Sequence, residues 1–598
     1  MASRSKRDCV PVEQVIDEID VNVSDVSLDG PSDESDRDEV YDPGNIDNLE
    51  SSDSESDHEH LSEVNDESSG DDDVPLAQIL ASATEGKTKT KYTWRKKDFV
   101  APQDQFQGEI VEPTDPTGIT ETPLLYFKRF VTQEMIELIV DYTNRYSVQK
   151  QGKCVNTSAK EIEQVLGMYF KMGLVEMPSI RMYWEKETRY PPVTEVMSRN
   201  RFQLLLSLIH FVDNETVSEE TKKDRLWKIR PFLDMFRARC LQTTPAEHQS
   251  IDEMMVPYKG KFGNIRQYVR GKPHPWGFKV WARCSVHGIL HDFDVYQGKG
   301  GDKGANVFGI GGDVVVKLCK TLPKDVGHKI YADNFFTSVE LIEKLSEDGF
   351  LYAGTVRKNR LAKCNVLEEN ALKKKGRGSH DFRVESKTNT VCVRWQDSKA
   401  VTLMSNYAGP EPMDKARRWD KSKKDYTNVD RPYIIREYNT HMGGVDMLDA
   451  HISRCKYSIR TRRWYLILFW HFTSIGVINA WLLYKRDCSL LGITGKSVMK
   501  LRQFQSKVAQ ALIERGTTRK SGRPSLGEET SPKPPKIIRV EPCEDARFDQ
   551  IAHWPVKRDK RRRCAVCKTI KTDTCCEKCD VPLCFNERRN CYKLYHIK

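Results

Sequence analysis

SIDEMMVPYK, residues 250–259, is the segment on which the predicted fold depends. Residues 251–256 form a short, mostly apolar run that stops at a proline, which is typical of a β-strand, and the run carries Asp252 near its start. Two other short segments carry comparable aspartates, namely IYADNFF with Asp333 and GGVDMLD with Asp446 and Asp449. If the three segments converge, their carboxylates form a two-metal site for phosphodiester chemistry.

Short β-branched or aromatic runs bounded by glycine, proline or charged residues continue along the chain. We predict strands at 251–256, 277–285, 288–296, 329–336 and 350–356. Helices are predicted at 313–321 and at 337–347, where Thr337 and Glu340 form a capping-box pattern. Three strands, a helix, a strand, a helix and a fifth strand are the order of an RNase H-like core. The sequence therefore predicts an α/β fold with an RNase H-like catalytic core and a mixed sheet.

Helical patterns flank this core. Apolar residues at helix-like spacing begin near Pro123, and helices resume at Gly444 and continue towards Glu514. The apolar run from Trp464 to Tyr484 is about as long as a membrane span. It contains polar residues and follows three arginines, so we predict a buried core helix and no membrane partner.

Charge is divided unevenly along the chain. Between Asp8 and Asp73 there are 25 acidic residues and one arginine, whereas the whole chain has a net charge of +9, so the remainder is strongly basic. The segment before Thr120 is poor in aromatic residues and does not bury enough apolar surface to offset its chain entropy. We predict a disordered acidic N-terminus and a basic body that binds a polyanion.

These patterns divide the chain into eight predicted segments. They are a disordered acidic region at 1–120, the first part of a helical dimerisation and DNA-binding domain at 121–249, the first part of the catalytic domain at 250–357, a β-rich inserted subdomain at 358–430, the second part of the catalytic domain at 431–485, the second part of the helical domain at 486–514, a basic linker at 515–547 and a small cysteine-rich zinc-binding domain at 548–598. The insertion is predicted because strand-like runs replace the helical alternation after residue 357.

Several motifs resemble those of piggyBac-family DNA transposases. The matching segments are SIDEMMVPYK, RGKPHPWGFKVW, IYADNFFTS, GTVR and MGGVDMLD, and the resemblance extends from near residue 120 to the C-terminus. It implies that Asp252, Asp333 and Asp446 are the family's catalytic triad and that Asp449 is an accessory acidic residue. Any one of these aspartates alone is more often a cap or turn residue. Together they suit two Mg²⁺ (or Mn²⁺) ions per active site, since hard divalent ions need oxygen ligands.

The resemblance implies cut-and-paste transposition. In that reaction a metal-activated water nicks the transposon end, the freed 3′ hydroxyl attacks the opposite strand to leave a hairpin, and the opened end joins a TTAA target. The implied partner is double-stranded DNA carrying terminal inverted repeats, and a two-ended substrate predicts a homodimer. The alternative is a host-retained, sequence-specific DNA-binding or chromatin protein that keeps the fold without mobility.

Cysteines crowd at the C-terminus, where seven of the 17 lie between Cys564 and Cys591. The candidate ligands are His553, Cys564, Cys567, Cys576, Cys579, Cys584, Cys591 and His596. Eight such ligands serve two tetrahedral Zn²⁺ ions, which would also stabilise a domain too small to fold unaided. In the piggyBac family this domain resembles a cross-brace and binds transposon-end DNA. The pairing of ligands stays open, as does a role for Cys575 or Glu587.

Basic clusters are candidate DNA contacts. They are Arg460, Arg462 and Arg463 before the apolar helix, Arg519, Lys520 and Arg523 in a segment similar to an AT-hook, and Arg561, Arg562 and Arg563 beside the cysteines. The last cluster also fits a nuclear localisation signal, and we expect the protein in the nucleus. Solvated charge is the alternative for the last two clusters. GKGGDKG at 298–304 lacks the P-loop pattern, so no nucleotide cofactor is expected.

Overall fold

One mixed β-sheet of ten strands organises the described part of the chain. The computed structural model describes residues 91–102, 106–108, 120–260, 265–269, 274–298, 307–420, 423–516, 542 and 544–597. The strands are β1 (Trp94–Arg95), β2 (His248–Pro257), β3 (Arg266–Tyr268), β4 (Trp276–Ser285), β5 (Leu290–Val295), β6 (Lys329–Ala332), β7 (Leu351–Thr355), β8 (His380–Glu385), β9 (Val391–Gln396), β10 (Ala400–Ser405), β11 (Asp414–Asp420), β12 (Asp425–Arg431), β13 (Pro555–Arg563), β14 (Lys571–Cys576), β15 (Phe585–Asn586) and β16 (Arg589–Asn590).

Helices surround the sheet and form most of the region before β2. They are α1 (Pro123–Lys128), α2 (Gln133–Gln151), α3 (Ala159–Leu174), α4 (Pro191–Thr194), α5 (Arg199–Leu208), α6 (Glu219–Lys222), α7 (Arg230–Leu241), α8 (Gly309–Cys319), α9 (Val339–Glu347), α10 (Glu369–Lys375), α11 (Tyr433–His441), α12 (Gly444–Ser453), α13 (Trp464–Leu490), α14 (Leu501–Glu514), α15 (Glu544–Arg547) and α16 (Cys591–His596).

The strand order confirms a mixed α/β fold. Across the sheet the order is β1-β8-β9-β10-β7-β6-β2-β4-β3, and β5 also pairs with β4. β2 is antiparallel to β4 and parallel to β6, which is itself parallel to β7. All five predicted core strands are present, although β6 ends at Ala332 instead of Phe336. It ends early because the Asp333 carboxylate accepts the Phe335 N–H at 2.8 Å and turns the chain.

The predicted β-rich insertion does not form a sheet of its own. β10 pairs antiparallel with β7, so β8, β9 and β10 extend the central sheet. Only β11 and β12 stand apart within this segment, as a two-stranded hairpin. The segment has the predicted strands, but the sequence did not predict their pairing, because an apolar run identifies a strand and does not identify the strand with which it pairs.

The prediction of a capping box at Thr337 and Glu340 is wrong. The N-cap of α9 is Ser338, whose hydroxyl accepts the Leu341 N–H. The Thr337 hydroxyl donates instead to the Asp333 carbonyl at 2.9 Å and lies 2.8 Å from the Tyr352 hydroxyl. Thr337 therefore closes the turn after β6, and the helix begins one residue later.

Residues 91–102 pack against the sheet, contrary to the disorder predicted up to residue 120. β1 pairs with β8, the Tyr92 hydroxyl donates to Glu343 at 2.8 Å, and the Trp94 indole N–H donates to the Ala362 carbonyl at 3.1 Å. A local cluster of aromatic residues thus anchors a region whose average composition is polar. Residues 1–90, 103–105 and 109–119 lie outside the described part. All described residues belong to one compact unit, 89–598, and the finer predicted boundaries stay predictions.

α13 is a buried core helix, as its polar residues predicted. It has 27 residues and is apolar enough to cross a membrane by length and composition, but 94% of its apolar window is buried within the protein. Its Asn479 amide donates to the Leu290 carbonyl and accepts the Leu290 N–H, both at 2.9 Å. This pair of hydrogen bonds fixes the helix to β5.

We expect Asn479→Ala to lower the free energy of unfolding by about 2 kcal/mol, because the buried N–H and C=O of Leu290 lose their partners. Thermal unfolding of the full-length variant measures the change. Leu490→Ala is the control, since that side chain is 46% exposed on the same helix. Equal melting temperatures for the two variants would show that the Asn479 bonds do not stabilise the fold.

Candidate functional site

Asp252 and Asp333 lie side by side where two parallel strands run towards one edge of the sheet. β2 and β6 pair with Ile251 opposite Ala332, and each aspartate is the next residue along its chain. Asp252 shares one face of β2 with Ser250, and Asp333 lies beside it, one residue beyond the end of β6. Both side chains are half-buried. The fold therefore brings together two of the predicted site residues, which are 81 positions apart in the sequence.

α12 carries Asp446 and Asp449 and packs against this face of the sheet. A Cβ atom on Gly444 would lie 2.3 Å from the Ser285 carbonyl oxygen and 2.4 Å from the Ser250 hydroxyl. Only glycine permits so close an approach, and Ser250 is two residues before Asp252 on the same face of β2. Asp446 lies in the first turn of α12 and is exposed.

The pKa of the Tyr438 hydroxyl on α11 is affected by three of the aspartates. Burial is the main cause that raises the pKa of Tyr438, and the negative charges of Asp333, Asp252 and Asp446 raise it further. Three carboxylates from β2, the end of β6 and α12 therefore lie within electrostatic reach of one hydroxyl group. Sequence analysis missed Tyr438, although it lies eight residues before Asp446 in the chain.

Neighbouring positive groups only partly compensate the negative charge of the Asp333 carboxylate. Burial raises its pKa and the charge of Glu253 adds to the effect, while the Phe335 N–H and the positive Arg357 and Lys279 oppose it. A raised pKa means that the ionised form is destabilised, and a bound divalent cation would reverse that effect. Carboxylate oxygens of this kind suit Mg²⁺ or Mn²⁺.

Lys279 is a second residue that the sequence analysis did not single out. Its ammonium lies 3.6 Å from the Glu253 carboxylate and 4.0 Å from the centre of the Trp281 ring. Burial lowers the pKa of Lys279, and the charges of Glu253, Asp252 and Asp333 oppose that shift. This lysine offsets part of the negative charge gathered at the sheet edge.

Asp449 shares one neighbour, the Cys284 thiol, with Asp252. Its charge adds to burial in raising the pKa of Cys284, and it opposes the burial that lowers the pKa of Lys456 to about 8. Among the described residues there are two groups of potential metal-ligating side chains whose ligand atoms all lie within 4.8 Å of one another. Both groups lie in the cysteine-rich region. The four aspartates do not form a group as tight as those.

The cysteine-rich region contains two four-residue clusters that fit metal ions. One consists of His553, Cys576, Cys579 and His596, and the other of Cys564, Cys567, Cys584 and Cys591. All eight predicted ligands are used, and the two sets alternate along the chain, which is the arrangement of a cross-brace. Cys575 and Glu587 belong to neither cluster. The pairing left open by the sequence is thereby given by the geometry.

Each histidine of the first cluster presents one ring nitrogen to the thiols. His553 donates from Nε2 to the Ala546 carbonyl at 3.0 Å, which leaves Nδ1 3.4 Å from the sulfurs of Cys576 and Cys579. His596 donates from Nδ1 to the Tyr592 carbonyl at 2.8 Å, which leaves Nε2 3.6 Å from Cys579. Hydrogen bonds of this kind fix the tautomer of a metal-binding histidine.

Asp549 supports this cluster and was missed by the sequence analysis. Its carboxylate accepts from His553 Nε2 at 3.1 Å, pairs with Lys578 and accepts the Gly516 N–H at 2.9 Å. Gly516 follows the end of α14, so this buried carboxylate joins the cluster to the helical region. The available signal was the spacing Asp549-x₃-His553.

The predicted DNA-contacting arginines occupy different environments. Arg460, Arg462, Arg561 and Arg563 are exposed. Arg463 donates to the Leu206 carbonyl at 2.9 Å, so its guanidinium is partly used within the fold. Arg562 is half-buried, and its Nη1 has no hydrogen-bond partner among the described residues. Arg519, Lys520 and Arg523 lie outside the described residues.

Comparison with known proteins gives the family. The family model described as Transposase IS4 matches residues 122–481. The chain is 33% identical over 523 residues to the human PiggyBac transposable element-derived protein 3, covering 86% of this chain and 84% of that protein. It is 30% identical over 502 residues to the human PiggyBac transposable element-derived protein 2, covering 83% and 80%. The chain belongs to the piggyBac transposase family.

A solved structure supports the fold of this piggyBac-family chain. The match is the cryo-EM structure of piggyBac transposase synaptic complex with hairpin DNA, with a TM-score of 0.57 and 23% sequence identity. It covers 79% of this chain and 98% of the other. The family resemblance inferred from the motifs is thus confirmed.

We expect Asp549→Asn to weaken metal binding at the His553 cluster of this piggyBac-family chain by about tenfold or more, because the histidine loses a charged partner. Competition between zinc-loaded full-length protein and a colorimetric chelator measures the affinity. Asp559→Asn, an exposed carboxylate in the same domain, is the control. Chelation curves that coincide for the two variants would exclude this role of Asp549.

Proposed function

We propose that this chain is a metal-dependent DNA transposase that acts as both nuclease and strand transferase. The observation that carries the proposal is the parallel pairing of β2 with β6, which places Asp252 beside Asp333, together with the close packing of α12, which carries Asp446, against β2. These carboxylates come from two parallel strands and a helix that are far apart in sequence. A fold that gathers carboxylates from separate elements, in a chain whose net charge is +9, suits a polyanionic substrate and divalent cations.

The proposed catalytic core is RNase H-like. The order β5-β4-β2-β6-β7, with β4 antiparallel to β2 and with β6 and β7 parallel to it, supports this assignment. On this assignment Asp252 lies on the first strand of the core and Asp333 follows the fourth. The third aspartate comes from α12, which enters after the strands β8–β10 that extend the sheet.

Asp252, Asp333 and Asp446, with Asp449 as an accessory residue, would hold two Mg²⁺ or Mn²⁺ ions. Such ions activate the attacking oxygen and stabilise the leaving oxygen of a phosphodiester. The aspartates orient the reacting phosphate by fixing where its oxygens bind, and Lys279 offsets the charge of Asp252 and Asp333. Family membership favours a reaction with hairpin ends, terminal inverted repeats and a TTAA target.

The cysteine-rich domain is proposed to hold two Zn²⁺ ions and to recognise transposon-end DNA. The two thiol-rich clusters have the ligand type and number that tetrahedral zinc prefers. β13 lies between His553 and Cys564 and carries the exposed Arg561 and Arg563 on its surface. Exposed Arg460 and Arg462 are proposed to hold DNA nearer the aspartates. A homodimer in the nucleus would bring two transposon ends together.

A second candidate function is that of a host-retained DNA-binding protein. The observation that favours it is that the curated relatives are human proteins named as transposable element-derived. All four aspartates are present in this chain, which favours retained chemistry. An excision assay with a donor plasmid carrying candidate terminal repeats separates the two functions, because only the transposase rejoins the donor.

We expect Asp252→Asn, Asp333→Asn and Asp446→Asn each to reduce excision by more than about 100-fold while end binding persists, because each removes a charged metal ligand. A donor-plasmid repair assay measures excision, and gel shifts measure binding. The control is Asp294→Asn, since Asp294 on β5 is paired with Lys317 at 3.0 Å. Wild-type excision by any of the three variants would mean that the site is misassigned.

We expect chelation of zinc to unfold the cysteine-rich domain and to weaken binding to transposon ends, because metal binding supplies folding energy in so small a domain. Limited proteolysis of the full-length protein detects unfolding, and re-addition of Zn²⁺ should restore both properties. End affinity that is unchanged after complete removal of zinc would exclude this role.

A further inference from the structure

The β11–β12 hairpin has one face that the rest of the described chain leaves uncovered. Ala416 and Val429 lie opposite each other in the hairpin and are buried. Because side chains alternate between the two faces of a strand, the neighbours of Ala416 and Val429 along each strand point away from the protein. These residues form what we call the outer face, namely Lys415, Arg417, Trp419, Tyr426, Asn428 and Asp430.

An aromatic pair with a stacked cation occupies the outer face. Trp419 is 49% exposed and Tyr426 is 47% exposed. Their ring centres are 5.1 Å apart at an interplanar angle of 74°, and the Arg417 guanidinium carbon lies 4.1 Å from the centre of the Tyr426 ring. Large aromatic side chains at such exposure retain flat apolar surface that a ligand with a π-face would cover.

The inner face holds the hairpin in a fixed position. Arg418 and Arg377 both pair with the Asp397 carboxylate, at 3.0 Å and 2.5 Å. Arg377 also donates to the Trp419 carbonyl at 3.3 Å, and the Trp395 indole N–H donates to the Asp430 carbonyl at 2.8 Å. The hairpin that carries the aromatic pair is thus held against the central sheet, so binding a ligand would cost little additional conformational entropy.

Charge identifies the kind of partner that this face would bind. The outer face carries two basic residues, Lys415 and Arg417, and one acidic residue, Asp430, and the sequence that runs from β11 into the residues after it, KARRWDKSKK at 415–424, contains six basic residues and one acidic residue. Positive charge interleaved with exposed aromatic rings suits a nucleic acid strand whose bases are accessible for stacking. Paired bases offer only their edges in the grooves, so unpaired bases fit this surface better than intact duplex.

The hairpin is also connected directly to the aspartate site. β12 ends at Arg431, Pro432 caps α11, and Tyr438 lies six residues further along that helix. Six helical residues span about 9 Å, and the five residues of β12 from Arg431 back to Tyr426 add about 17 Å, so the aromatic pair lies within about 26 Å of Tyr438. We propose that the outer face of the β11–β12 hairpin stacks on unpaired DNA bases that flank the cleavage site. This inference rests on the proposed function, since strand cleavage and hairpin formation are what would unpair those bases.

Binding of full-length, zinc-loaded protein to two DNA probes tests the proposal. One probe is a duplex, and the other has the same sequence with a short internal mismatch that leaves bases unpaired. Trp419→Ala/Tyr426→Ala should lose about tenfold in affinity for the mismatched probe and keep wild-type affinity for the duplex. Trp419→Phe/Tyr426→Phe should retain both affinities, because the rings that stack are conserved.

A charge variant separates stacking from phosphate contacts. Lys415→Ala/Arg417→Ala should reduce the salt dependence of binding to the mismatched probe, whereas Trp419→Ala/Tyr426→Ala should leave it unchanged. If the alanine pair binds both probes as wild type does, the proposal is wrong. It is also wrong if the alanine pair changes only the sedimentation of the protein, since a second copy of the chain would then cover this face.

The outcome for the hairpin is separate from the outcome for the active site. Binding of the zinc-loaded protein is measured without added Mg²⁺ or Mn²⁺, so it requires no cleavage, and Asp252→Asn should show the same preference for the mismatched probe. A chain that excises DNA while its alanine pair binds normally contradicts only the hairpin proposal. A chain that prefers the mismatched probe but never excises contradicts only the proposed activity.

Discussion

The parallel pairing of β2 with β6 is the constraint on which the candidate active site depends. Ile251 lies opposite Ala332, and each is followed by an aspartate, so the register places Asp252 beside Asp333. A register shift of one residue would send one carboxylate to the opposite face. Gly444 then allows α12 to approach the same face closely enough to add Asp446. Backbone geometry, more than any single side chain, gathers these charges.

The same principle operates at the C-terminus with softer ligands. There the metal-binding clusters are completed by neighbours that orient the ligands, and the buried Asp549 connects His553 with the end of α14. Zinc binding would therefore stabilise more than a separate small domain, because the carboxylate that fixes the histidine also fixes the junction with the helical region. If the cysteine-rich domain recognises DNA ends as proposed, this arrangement would couple that recognition to the position of the helical region.

The sequence predicted those features that depend on local pattern. The core strands, the buried α13 and the eight cysteine and histidine ligands follow from periodicity and spacing that short segments contain. The sequence did not predict that β10 would pair with β7, because strand partners are chosen over long separations. Tyr438, Lys279 and Asp549 were missed for the same reason, since each matters only through groups that folding brings near it. The aromatic cluster that begins at Tyr92 was hidden by the polar average of its region.

The central claim is that the aspartates within β2, directly after β6 and on α12 share a pair of divalent cations. Electron paramagnetic resonance of zinc-loaded protein titrated with Mn²⁺ in the presence of end DNA tests it most directly. The account predicts two manganese ions per chain with a spin-coupled spectrum, as expected for ions about 3.5–4 Å apart, and loss of that coupling in Asp333→Asn. Uncoupled manganese only, or a coupled pair that survives the substitution, would contradict it.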